Sequence, residues 1–225
     1  MSVITISREF GSGGDAIAHR VAQALDHHFV DQAFIGTILG QYGYVEFDKE
    51  FATLPTFWER FDAQKEKTRD VMADMLNRVI KTVAHHGNVV ILGRSGFEVL
   101  GGYADVLHIR LQAPFQTRVK RIMAEQNISL EQATETVKKG DKVRIAFVEE
   151  FYRVRWDAIH AFDIVINTAK IPADQAADWL VEAAKTFTPS LEPDKPSITS
   201  IEVDRIMAEA VAEELNCSQK HLLTV

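Results

Sequence analysis

A strand that runs directly into a glycine cluster and leaves it as a helix is the feature that most constrains this chain. Val3, Ile4 and Ile6 form a short β-branched apolar run, which suits a buried strand. Gly11, Ser12, Gly13 and Gly14 then permit a tight turn with positive φ and close backbone approach. From Asp15 to Leu25 the apolar residues Ile17, Ala18, Val21, Ala22 and Leu25 recur at helical spacing. Such a unit aims backbone N–H groups and the positive end of a helix at one spot, which suits a phosphate. The competing reading is a plain turn between strand and helix, with Asp15 as a favourable first-turn acid.

The rest of the chain alternates in the same way. Further strands are expected at 28–31 (HFVD), 88–92 (NVVIL), 106–111 (VLHIRL) and 162–168 (FDIVINT), with helices between them. Five strands interleaved with helices indicate a doubly wound α/β fold around a parallel sheet. A short helix is expected near 34–39, and the longest at 63–84, ended by His85, His86 and Gly87. The paired histidines read as residues capping the helix rather than metal ligands. Ser129 with Gln132 forms a capping box, so a helix starts at Leu130. A break near Gly140 is expected to split residues 138–155 into a helix pair. Pro172 opens the last helix of the domain. Three prolines mark 189–199 as a linker. An amphipathic helix over 201–215, capped by Ser200, follows, and its apolar stripe needs covering by its own domain or by a second copy in a homodimer.

Composition sets outer limits. A chain of 225 residues with 46% hydrophobic content can bury one sizeable core. A net charge of -7 argues against polymeric nucleic acid or a membrane surface as partner but leaves small phosphates open. One cysteine, Cys217, permits neither an intrachain disulfide nor a Cys-based zinc site. With no signal-like or membrane-length apolar run, a cytoplasmic location is expected.

Several segments also resemble one family. Gly11-Ser12-Gly13 falls on the G-S-G of the phosphate loop of nucleoside monophosphate kinases, and SREFGSGG at 7–14 resembles the hallmark of the cytidylate kinase-like family. The apolar strand before Gly93-Arg94, the D-K-V-R stretch at 141–144 and FDIVINT are similar to the same family, over roughly Val3 to Phe187. The resemblance implies a P-loop kinase domain over 1–188, an acceptor-binding region over 32–62 and a helical lid over 127–157. It also implies ATP and Mg²⁺, with a small-molecule nucleotide as substrate.

By that resemblance the donor phosphates and base would meet Arg8, Gly11, Ser12, Gly13, Gly14, Asp15, Asn167 and Thr168. Arg94 would face the acceptor phosphate and Asp31 would lie near the acceptor. Lys142, Arg144, Arg153 and Arg155 would be lid cations. The loop departs from a standard Walker A sequence: Arg8 takes the first glycine position, Gly14 the lysine position and Asp15 the Mg²⁺-binding hydroxyl position, while Ala16 supplies no hydroxyl either. The Mg²⁺ ligands therefore stay unassigned. Two other functions follow from this degenerate loop: a nucleotide-binding or assembly module without turnover, or a kinase for a small alcohol with Asp31 as base.

Overall fold

In the structure, a computed structural model, residues 2–44, 63–189 and 194–222 are described. β1 (Val3–Arg8) is followed by α1 (Gly14–Leu25), β2 (His28–Val30), α2 (Gln32–Gln41), α3 (Ala63–His86) and β3 (Val89–Leu92). The chain continues through α4 (Gly96–Val99), β4 (Val106–Gln112), α5 (Phe115–Gln126), α6 (Leu130–Tyr152), β5 (Ile164–Asn167), α7 (Ala173–Thr186) and α8 (Arg205–Leu222). The five strands pair in the order β2-β3-β1-β4-β5, every pair parallel. β1 lies at the centre because both of its faces are apolar enough to be covered. Ile4 and Ile6 point to the side packed by α1 and α7, where Ile17, Val21, Ala176 and Leu180 are buried. Val3 points to the opposite layer, built from α2, α3 and α8. Parallel strands with helices on both faces form a doubly wound α/β architecture.

Three expectations about elements need correction. α6 runs unbroken through Gly140 from Leu130 to Tyr152, because that glycine serves a close packing contact rather than a turn. The C-terminal helix begins at Arg205, not at Ile201, and Asp204 caps it by accepting from the Met207 N–H at 3.0 Å. Ser200 instead ends a short 3₁₀ turn over Ile198–Ser200. The end of the expected linker is anchored: Asp105 accepts from the Ile198 N–H at 2.8 Å, and Ile198 is buried.

Met207, Val211 and Leu215 of α8 are buried against α2, α3 and β2. The chain's own domain thus covers Met207, Val211 and Leu215, while Ile206 of the expected stripe stays exposed. Most of the expected acceptor-binding region, with Phe47, Phe51, Phe57 and Trp58, lies outside the described residues. No helix among the described residues is long and apolar enough to cross a membrane.

Candidate functional site

The glycine loop is shaped from beneath. Gly11 (φ 75°) and Gly13 (φ 77°) adopt left-handed backbone that other residues rarely take. A Cβ on Gly11 would lie 3.2 Å from the Arg118 carbonyl oxygen, so α5 also presses on the loop. Ser12 is turned inward, its Oγ donating to the Glu9 carbonyl at 2.8 Å. Arg118, itself buried, binds the carbonyls of Phe10 and Ala113 and the carboxylates of Glu9 and Asp141. Asp141 also accepts from the Phe10 N–H at 3.1 Å. α6 is therefore tied to the loop by a charged network. The first N–H groups of α1 have no partner within the helix, and a helix N-terminus of this kind suits a phosphate.

Gly14 leaves room for Arg8. A Cβ there would stand 2.7 Å from Arg8 Cβ, and one on Gly93 would stand 2.2 Å from the Arg8 guanidinium. Arg8 thus threads between the two glycines and reaches Asp15, donating from Nε at 3.1 Å and from its terminal nitrogen at 3.0 Å.

At the end of β3 the chain turns through three consecutive left-handed residues, Gly93 (φ 77°), Arg94 (φ 51°) and Ser95 (φ 55°). Two of these are not glycine, and such strain persists where the surroundings hold it, commonly at binding sites. The turn opens on a cavity of about 470 Å³ between the ends of β1 and β3 and the face of α6. Lys139, Gly140, Val143, Arg144 and Phe147 of α6 line it, at the spacing of one helical face. Arg8, Arg94, Lys139 and Arg144 are cations of this lining, and no carboxylate is among its described lining residues.

Arg144 donates to the Gly140 carbonyl at 3.0 Å and lies 5.0 Å from the centre of the Phe10 ring. Burial, and then Arg8, pushes its guanidinium down to about 10, so it stays charged at neutral pH. Among the described residues its buried Nε has no hydrogen-bond partner. Arg94 lies over Phe147, 5.5 Å from the ring centre.

Other expected residues fall elsewhere. Asp31 caps α2, accepting from the Phe34 N–H at 3.0 Å, and does not line the cavity, whereas its neighbour Gln32 does. Lys142 and Arg153 are exposed, and Arg155 pairs with Asp157 at 2.8 Å on the surface. Thr168 is buried and locks β5 to the loop, donating to the Ser12 carbonyl at 2.7 Å and accepting from Arg121 at 3.0 Å. Asn167 accepts from the Ala169 N–H at 3.0 Å.

Sequence reasoning missed Lys139, Gln32, Trp156 and Arg121. The i+4 and i+5 spacing from Lys139 to Val143 and Arg144 was the available signal for the first. Among the described residues no cluster of three His, Cys, Asp or Glu side chains could hold a metal ion, and Asp15 is committed to Arg8. A Mg²⁺ cage made by protein side chains does not fit these residues.

The profile of the cytidylate kinase-like family matches residues 3–170. The cytidylate kinase of Ignicoccus hospitalis is 31% identical over 169 residues, covering 75% of this chain and 91% of that protein. The cytidylate kinase of Haloarcula marismortui is 24% identical over 200 residues, covering 88% of this chain and 97% of that one. Among solved structures, an uncharacterized protein from Eubacterium ventriosum is similar in fold, with a TM-score of 0.65 and 21% identity over 83% of this chain and all of that one.

Proposed function

The chain belongs to the cytidylate kinase-like family, and from that premise we propose that it moves the terminal phosphoryl group of ATP onto the phosphate of a nucleoside monophosphate, with CMP the first acceptor to test. The observation that carries this reading is a cavity with four cationic side chains and no carboxylate among its described lining residues. Such a lining favours an anionic ligand. With no carboxylate among the described lining residues to act as base, an attacking oxygen that is already ionised, as a phosphate's is and an alcohol's is not, suits this cavity. Asp31, spent on capping α2, weakens the alcohol reading further.

In the proposed mechanism the first-turn amides of α1 cradle the donor phosphates, and Arg8 reaches them from the space that Gly14 leaves open. Arg94 holds the acceptor phosphate in a planar fork. Arg144 and Lys139, from α6, stand where charge spreads over the transferring group, and a preorganised cation lowers that barrier. A divalent ion accompanying ATP would be held by phosphate oxygens and water, since the described residues offer no cage.

The test is ADP release from Mg·ATP with CMP, UMP, AMP and dCMP, alongside calorimetric titration of ATP. Turnover on a nucleoside monophosphate that falls by about 10²-fold or more in Arg94→Ala and in Arg144→Ala supports the reading. ATP binding without turnover on any acceptor favours the second reading, a nucleotide-binding module. The pairing of Arg8 with Asp15, which puts a carboxylate at the mouth of the phosphate loop, is the observation on its side.

A further inference from the structure

β4 carries a cation that sequence reasoning passed over. Arg110 is buried, 4% exposed, and stands opposite Ser7 in the register of β1 and β4. Its guanidinium lies 3.8 Å from the centre of the Trp156 ring and donates to the Trp156 carbonyl and to Ser7 Oγ, each at 3.1 Å. No carboxylate among the described residues forms an ion pair with it. Ser7 and Trp156 both line the cavity. Glu9, Asp141 and Asp157 favour its charge without pairing with it, and its hydrogen bonds go to neutral groups, so a further anionic group beside it would also be favoured. The Ser7 hydroxyl already accepts from Arg110, so its own proton is directed elsewhere, and the cavity is the space it borders.

We propose that Ser7, with Arg110 fixed behind it, is a hydrogen-bond donor to an anionic phosphate oxygen of the ligand in this cavity. Arg110 is the positioning residue: it holds the Ser7 lone pair so that the O–H points outward, and its charge strengthens that donor. The assignment rests on the phosphate-acceptor reading above for the ligand's identity. It does not rest on that reading for the anion site itself.

The experiment measures binding of CMP and, separately, of inorganic phosphate by calorimetry. It uses the intact protein and the variants Ser7→Ala, Arg110→Gln, Arg110→Lys and the double variant Ser7→Ala/Arg110→Gln. Ser7→Ala removes one oxygen and should leave the fold unchanged, so it stays informative if Arg110 variants do not fold. Ser7→Ala and Arg110→Gln are each expected to weaken binding by about tenfold. The double variant should be no weaker than the worse single one, since both remove the same donor. Unchanged affinity in Ser7→Ala, or losses that multiply in the double variant, would overturn the proposal. If phosphate binds with this pattern while no nucleoside monophosphate does, the kinase reading falls and the anion site stands. If neither probe binds the parent protein, both fall.

Discussion

At the scale of single residues, the loop shows how one substitution is answered by another. A lysine at position 14 would have needed the volume that Arg8 now fills, since even a Cβ there comes within 2.7 Å of Arg8 Cβ. The two changes belong together, and both were visible in the sequence, although their spatial link was not. Asp15 is the odd member. Its side chain is 67% exposed, so its pairing with Arg8 is a surface ion pair worth about 0–1 kcal/mol. That is little to give up when a phosphate arrives, yet the carboxylate repels the phosphate for as long as it stays. Asp15→Asn is therefore expected to tighten ATP binding severalfold, by about 1 kcal/mol, while shifting stability by less than that. Calorimetric titration with urea melts alongside would check both halves. Weaker ATP binding in Asp15→Asn would show that the carboxylate helps to aim Arg8 instead.

At the scale of elements, α6 shows why Lys142 lies away from the cavity. Gly140 reads as a breaker, and a break resets the helical phase of everything after it. In the intact helix each residue is rotated by about 100° from the last, so Lys142 faces solvent while Lys139 and Arg144 face the cavity. The glycine's true reason is Phe10. A Cβ at 140 would stand 2.5 Å from Phe10 Cγ, so the ring can only pack there against a bare backbone. That contact is between residues 130 positions apart, and no local pattern could reveal it. Strands, the glycine turn and Gly93-Arg94 were legible because each is written in a few neighbouring residues. Gly140→Ala thus sets two terms against each other. Helix propensity favours alanine by about 1 kcal/mol, and the forced displacement of Phe10 costs about 1–3 kcal/mol. Net destabilisation with reduced acceptor affinity is expected, and Phe10→Ala in the same chain should restore the stability. A Gly140→Ala protein more stable than the parent in urea unfolding would contradict the packing argument.

For the whole molecule, two features tie the rim of the fold to its site. α8 closes the layer beneath α2 and α3, and Leu215, 1% exposed, sits in that core. Leu215→Ala should cost about 2–5 kcal/mol in urea unfolding, as a buried leucine does when its cavity cannot collapse. A cost near zero would mean that α8 is an adornment and not part of the core. The second feature is acid sensitivity. His108 is buried behind Thr5, whose Oγ1 lies 2.7 Å from its Nδ1, and Thr5 lines the cavity. Burial pushes His108 below the ordinary histidine value of 6.5, with Asp163 opposing weakly, and burial lowers His27 and His28 as well. The folded state thus prefers all three neutral, and the unfolded state binds more protons once pH drops below 6.5. Their contribution to stability is complete above that value and is lost progressively below it. The urea midpoint should therefore fall between pH 7.5 and pH 5.5, and the fall should shrink in His108→Gln, which keeps a polar group near Thr5 but cannot titrate. Because His108 braces Thr5 at the cavity wall, acceptor affinity should decline over the same pH range in the parent and less in the variant. A midpoint with the same pH dependence in both proteins would remove His108 from this account and leave the β2 histidines to carry it.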